Sequence, residues 1–327
     1  MEKVNNNSIP ELSIVIPVYC EGEHISSLLE DVVRVLASVD VTFEFVLVDD
    51  GSTDKTWAVL NEQAPKFPML RAIRLSRNFG KELALCAGLE TARGSAVIVM
   101  DGDGQHPPAL LLEMIRLWCE TDVEIVEAVK TNRGKETILG KLGAKAFYFV
   151  WNRLSGFELN GASDYKLLSR QAVDAYLNLD ERNVFFRGMT AWLGFERASV
   201  PFEVVERSSG GSSWSLFRLV KLALTGITSF SAAPLQIVTF SGLLFMLFAL
   251  VFGLQTLYVF IIGHAVSGFA TVIILLLIIG SLLMISLGII GEYIARIYDE
   301  VKRRPRYLIA ESIGLQTQGL RRSSKNP

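Results

Sequence analysis

The chain has 327 residues, with 32 Lys and Arg against 34 Asp and Glu. A net charge this close to zero argues against nucleic acid as the partner, which needs a strongly basic face. Three cysteines, Cys20, Cys86 and Cys119, are too far apart for a metal-ligand pattern and read as free thiols of a reducing compartment.

The first ten residues are polar and carry Asn5, Asn6 and Asn7 in a row. They contain no apolar h-region, so no cleaved signal peptide is expected. A nearly continuous apolar strand occupies 12–18. An amphipathic helix over 23–37 gathers Ile25, Leu28, Leu29, Val32, Val33 and Leu36 on one face. A second strand over 43–48 ends in Asp49-Asp50-Gly51, and Ser52, Thr53 and Asp54 are N-cap candidates for the next helix. Strands over 71–75 and 96–100 frame a helix over 81–92, and Asp101-Gly102-Asp103 follows the last strand. Strands apolar on both faces and separated by helices predict a doubly wound, mostly parallel α/β sheet. In such sheets ligands bind outside the carboxyl ends of the strands, so both acidic clusters should face one crevice.

Beyond residue 130 the pattern loosens. A helix over 138–154 and a short segment at Ser163-Asp164-Tyr165 before a helix near Arg170 are expected. A Gly/Ser-rich loop covers 207–214. Residues 213–230 have helical periodicity with Arg218, Lys221, Thr225 and Thr228 as a polar stripe, the pattern of a helix in a membrane interface. Two uncharged apolar runs follow, 237–262 and 269–290, each longer than the roughly 20 residues a membrane-crossing helix needs. Residues 291–304 repeat the interfacial pattern. Arg207, Arg218 and Lys221 precede the runs, Arg296, Lys302, Arg303, Arg304 and Arg306 follow them, and the link between them has no Lys or Arg. The positive-inside rule then places both termini in the cytoplasm of a multi-pass inner (plasma) membrane protein, with the basic flanks near anionic headgroups. The expected organisation is a cytoplasmic domain over 1–210, an amphipathic helix over 211–233, a transmembrane hairpin over 234–291 (spans about 235–262 and 269–290), and an amphipathic helix with a basic tail over 292–327.

Two carboxylates one residue apart after a buried strand, Asp101 and Asp103, are hard oxygen ligands able to hold Mg²⁺ or Mn²⁺ against a diphosphate. A lone D-x-D also describes a solvated turn; Gln105 and Pro107-Pro108 behind it favour the functional reading. Asp49-Asp50-Gly51-Ser52 reads either as a turn that caps a helix or as acceptors for a base and ribose, and Tyr19 as packing or a base contact. Arg77-Asn78-Phe79-Gly80-Lys81 sets two cations beside a helix N-terminus, a favourable anion site.

Taken together, these segments resemble the polyprenyl-phosphate glycosyltransferases of family 2, with the GT-A fold. That group includes dolichol-phosphate mannose synthase and the bacterial undecaprenyl-phosphate glucosyltransferases. The resemblance spans about 12–308 and rests on P-x-Y-x-E from Pro17 to Glu21, D-D-G-S from Asp49 to Ser52, R-N-x-G-K from Arg77 to Lys81, and D-x-D-x-Q-x-P-P from Asp101 to Pro108. Asp164, the apolar hairpin, Gly291-Glu292-Tyr293 and Arg303-Arg304-Pro305-Arg306-Tyr307 complete it. It implies that Pro17, Tyr19, Glu21, Asp49 and Asp50 bind the nucleotide, with Lys81, Asp101 and Gly102 counted in the same site. It implies a divalent metal, Mg²⁺ or Mn²⁺, on Asp101, Asp103 and Gln105. Asp103 and Asp164 are the expected catalytic residues, Asp164 standing near the sugar and the acceptor phosphate. Arg207 should contact that phosphate, and Arg187 and Ser213 are placed with it. Two departures stand out: Cys20 where the family usually has Asn, and Ser213 where a Lys is common, for which Arg187, Arg182 or a lipid-proximal Lys could compensate.

The implied reaction moves a sugar, glucose as the first expectation, from a UDP-linked nucleotide sugar to polyprenyl (undecaprenyl) phosphate, for modification of cell-envelope glycans. Direct attack by the lipid phosphate inverts the anomeric carbon. An anionic acceptor needs little general base, so Asp164 acts either as a base or by orienting the sugar or an arginine. Expected partners are the nucleotide sugar, the lipid phosphate and the membrane, with homo-oligomerisation a further candidate. A processive polysaccharide synthase and an inactive membrane scaffold are the alternatives.

Overall fold

The computed structural model describes residues 9–102, 106–132, 162–179, 181–182, 184–203, 233–262 and 268–315. They form two compact units: 9–203 with 304–315, and 233–303.

The first unit is built on strands β1 (Leu12–Val18), β2 (Phe43–Asp49), β3 (Leu70–Leu75) and β4 (Ala96–Val99). β1 lies between β2 and β4, all parallel, and β2 pairs with β3, also parallel. Every residue of β1 and β4 is buried, which is why these segments read as unbroken apolar runs rather than alternating ones. Helices cover both faces. α1 (Ile25–Leu36) buries Ile25, Leu28, Leu29, Val32 and Leu36 along one stripe. With α2 (Thr56–Gln63) and α4 (Leu110–Glu120) it packs on the face presenting Ile14, Ile16, Phe45 and Leu47. α3 (Lys81–Thr91) takes the opposite face, where Ala84 and Ala87 meet Val48, Ile73 and Leu75.

The sheet is then widened at both edges. β5 (Ile125–Asn132), β6 (Ala162–Ser169) and β7 (Arg197–Glu203) extend it beyond β4, and β8 (Ile309–Ile313) lies beyond β3. The order is β7-β5-β6-β4-β1-β2-β3-β8. β6 runs antiparallel to β4 and β5, β7 parallel to β5, and β8 antiparallel to β3. This is the doubly wound, mostly parallel architecture the GT-A resemblance implies. α5 (Arg170–Asn178) and α6 (Phe186–Trp192) follow β6. Near the start of β1 and β2, the buried Glu44 accepts from Ser13 Oγ at 2.7 Å, Arg71 Nη1 at 3.0 Å and the Arg93 amide at 2.8 Å. Burial raises the Glu44 pKa, but these donors outweigh it and leave the carboxyl below its ordinary value. A charge inside the sheet is tolerable because its acceptors are used.

The segment at Ser163 is a full strand, β6, and β8 is a strand that the sequence reading does not contain. The second unit holds α7 (Ala233–Ile261) and α8 (Phe269–Val301). Their stretches Val238–Val259 and Ile278–Val301 are long and apolar enough to cross a membrane, and neither is buried within the chain. The separate interfacial helix expected over 291–304 is corrected: most of that segment is the continuation of α8. No proline interrupts it, and Glu292 and Arg296 pair across one turn at 3.3 Å, so nothing ends the helix at residue 290. The helix expected over 138–154 lies outside the described residues, as does that over 211–233 apart from Ala233, which opens α7.

Candidate active site

The loops at the carboxyl ends of β1, β2 and β3 are laced together by short polar side chains. The Asp50 amide donates to Val18 O at 3.0 Å, the Cys20 amide to Ser52 Oγ at 2.9 Å, and the Glu21 amide to Thr56 Oγ1 at 3.1 Å. None of the three N-cap candidates is the N-cap of α2, which is Lys55; Asp54, one residue earlier, accepts from the Thr56 amide through Oδ1 at 3.0 Å. Gly51 has φ +68°, and a Cβ there would sit 2.4 Å from the Arg77 carbonyl carbon, so only glycine allows this approach.

The two consecutive aspartates divide their work. Asp49 is fully buried, and its Oδ1 accepts from the Ser52 amide at 2.8 Å while Oδ2 lies 3.4 Å from Arg74 Nε. Asp50 accepts from the amides of Phe79 at 2.7 Å and Gly80 at 2.9 Å, one per carboxylate oxygen. It thereby anchors the chain entering α3. Burial, joined by the neighbouring Asp49 charge, raises the Asp50 carboxyl above its usual value despite those amides.

α3 lies close on the sheet because Gly88 meets Val15, where a Cβ would be 2.3 Å from Cγ1. That places Lys81, the first residue of α3, at a cleft of about 490 Å³ lined by Pro17, Tyr19, Glu21, Asp50, Lys81, Asp101 and Gly102 among others. These are all of the expected nucleotide residues except Asp49, which supports the turn from behind. Lys81 Nζ bridges two carboxylates, Asp101 Oδ1 and Asp164 Oδ2, each at 2.6 Å. Arg187 clamps Asp164 from the other side, Nε to Oδ1 at 2.7 Å and Nη2 to Oδ2 at 2.9 Å. The result is an alternating row, Asp101, Lys81, Asp164, Arg187. Burial would lower the Lys81 pKa, but Asp164 and Asp101 outweigh it and hold the ammonium charged. Burial likewise raises Asp164, but the Arg187 bonds and charge, with Lys81, carry its carboxyl well below the carboxylate range. Asp164 is a fixed anion with little affinity for a proton.

Glu82 was not singled out from sequence, where a Glu in the first turn of a helix reads as ordinary dipole complementation. In the structure its Oε2 accepts from the Phe186 amide at 2.7 Å. Burial, then the Asp164 charge, pushes its pKa up to about 7. His106 is another residue the motifs pass over. Its Nδ1 accepts from the Asp101 amide at 3.1 Å, and its ring stacks on Tyr165 with centroids 4.7 Å apart.

Asp101 offers a partly exposed carboxylate to the cleft, a hard oxygen donor suited to a divalent cation. Among the described residues no group of three or more His, Cys, Asp or Glu side chains forms a ready metal cage. Asp103, Gln105, Arg207 and Ser213 lie outside the described residues.

Residues 13–177 match glycosyl transferase family 2. An uncharacterized glycosyltransferase of Synechocystis sp. is 38% identical over 308 residues, covering 94% of this chain and 96% of that protein. A prophage bactoprenol glucosyl transferase homolog of Escherichia coli K12 is 35% identical, covering 91% and 98%. The bactoprenol glucosyl transferase of Shigella phage SfII is 34% identical, covering 92% and 98%. With half its length matched to the family and relatives this similar from end to end, the chain belongs to glycosyl transferase family 2.

Proposed function

We propose that the protein is an inverting glycosyltransferase that moves a sugar, glucose first among the candidates, from a UDP-linked nucleotide sugar to polyprenyl (undecaprenyl) phosphate at the cytoplasmic face of a membrane. The observation that carries this reading is the row Asp101, Lys81, Asp164, Arg187 beside a cleft lined by the expected nucleotide residues. The names of the bactoprenol glucosyl transferase relatives support a lipid carrier and glucose. The two exposed apolar stretches support a membrane anchor, and the Lys and Arg residues that flank them favour both termini inside.

The charge state of Asp164 favours one of its two expected roles. A carboxylate held this far below its normal range does not take up a proton near neutrality. A lipid phosphate is already anionic near neutral pH and needs little help from a base. Asp164 therefore serves by fixing Arg187 and Lys81, whose cations offset the charge where phosphate meets sugar diphosphate. Lys81 ties that point to Asp101 and so to the nucleotide, setting the alignment that in-line attack needs. A divalent metal, Mg²⁺ or Mn²⁺, on Asp101 with Asp103 and Gln105 would act as Lewis acid toward the leaving diphosphate. Arg187, with Arg207 and Ser213, is assigned to the acceptor phosphate.

A panel of nucleotide sugars incubated with undecaprenyl phosphate in membranes, read by mass spectrometry of the lipid, tests the reading. A single hexose on the lipid monophosphate is expected. Long polysaccharide would favour a processive synthase, and no product from any donor would favour a scaffold.

A further inference from the structure

The two cations on Asp164 come from distant parts of the chain, Lys81 from α3 and Arg187 from α6, and something must keep those helices in register. α6 is only seven residues long and has no side-chain cap of its own. A helix this short does not hold itself, and its first amide has no partner within the helix. That amide, Phe186 N, is taken by Glu82 at 2.7 Å. One turn further on, Thr190 Oγ1 receives a hydrogen bond at 3.1 Å from Lys166 Nζ, a fully buried ammonium on β6 that also pairs with Glu127 at 2.7 Å. Arg187 lies between these two fastenings. Lys81 and Glu82 are consecutive, so one turn of α3 supplies the first cation and fixes the helix that supplies the second.

We propose that Glu82 is a positioning residue for the transfer step: it caps α6 from α3 and so sets Arg187 against Asp164. This rests on the reading above, that Asp164 and Arg187 stand where sugar and lipid phosphate meet. Glu82 does not line the cleft, and its Oε2 is spent on the α6 backbone. Its loss should change how the acceptor end is presented and leave the nucleotide end alone.

The test uses the full-length protein and three variants, Glu82→Ala, Glu82→Gln and Arg187→Ala, plus the Glu82→Ala/Arg187→Ala double variant. Glu82→Ala is expected to lower kcat/KM for undecaprenyl phosphate by on the order of tenfold or more, because it leaves a buried amide without an acceptor. UDP affinity by calorimetry should stay within about twofold. Glu82→Gln keeps an acceptor oxygen and should restore most of the activity. In the double variant the two losses should not multiply, because both act through one arginine. Multiplicative losses, equal loss of UDP affinity, or no rescue by Gln would overturn the proposal. Hydrogen exchange gives a readout independent of turnover: Glu82→Ala should speed exchange in the segment 186–192 and leave β1 unchanged, and unchanged exchange at Phe186 would refute the cap. If the wild type transfers no sugar to the lipid, the functional reading fails instead, and exchange still decides the role of Glu82. Should Glu82→Ala not fold, Glu82→Asp, which cannot reach Phe186 N as well, replaces it in every arm.

Discussion

Cys20 holds a left-handed backbone, φ 56°, at the turn that ends β1. A non-glycine residue there costs roughly 1–3 kcal/mol, and Asn tolerates the region better than Cys. The Asn usual in the family thus has a conformational reason, and Cys20→Asn should raise the melting temperature by about 1–3 °C in a thermal scan. A second prediction separates the site's two ends. Asp164→Asn removes the anion between two cations and should lower kcat by on the order of a hundredfold with UDP affinity nearly unchanged. Asp50→Ala frees the amides of Phe79 and Gly80 and should weaken UDP binding first, by about tenfold; calorimetry and acceptor kinetics on both variants check the division. The third concerns pH. The Glu82 pKa is raised from 4.5 to about 7 in the folded protein, so between those values the folded state holds a proton the unfolded chain has released. Its contribution to stability is complete below about pH 4.5 and is lost as the pH rises through about 7. Melting temperatures of Glu82→Gln should fall less across that window than those of the wild type. At this scale the motif residues were legible, and their pairings were not. Lys81 and Asp164 are 83 positions apart, and periodicity says nothing about such distances. Nor does adjacency in sequence reveal that Asp49 turns into the protein while Asp50 takes the start of α3.

Strand β8 shows what a pattern misses among elements. Its five residues, Ile309–Ile313, leave the middle three exposed, so it lacks the apolar run that marks β1 and the helical spacing that marks α1. Its place is fixed by partners instead. Glu311 accepts from Trp57 Nε1 at 2.8 Å and Arg74 Nη1 at 2.9 Å, and Arg74 Nη2 reaches Ser52 O at 3.1 Å. The strand thus braces the turn that carries Asp49 and Asp50. A chain stopped after Leu308 should melt at a lower temperature, bind UDP more weakly by calorimetry, and self-associate through the bared edge of β3 in light scattering. Unchanged UDP affinity would limit β8 to edge protection. The parallel strands and α1, by contrast, were readable because burial on two faces and on one stripe leaves a mark in composition. The extent of α8 was not, because amphipathic and fully apolar segments can share one uninterrupted helix.

For the whole molecule, the proposed topology puts the first unit inside the cell, where Cys20 and Cys119 are exposed. An impermeant thiol reagent applied outside should leave the wild type unlabelled, modify it in broken cells, and modify a Ser267→Cys variant from outside. Labelling of the wild type in intact cells would reverse the orientation. Strand order along the chain adds a consequence in time. The sheet's outer neighbour to β3 is made only after α7 and α8, and the roughly hundred residues between Glu203 and Ile309 take on the order of 5–20 s to synthesise. Throughout that interval the nascent domain has the turn that carries Asp49 and Asp50 but not the strand that braces it. On the function proposed above, a chain still on the ribosome is an unfinished enzyme until β8 emerges behind its apolar helices, which would tie the onset of activity to arrival at a membrane.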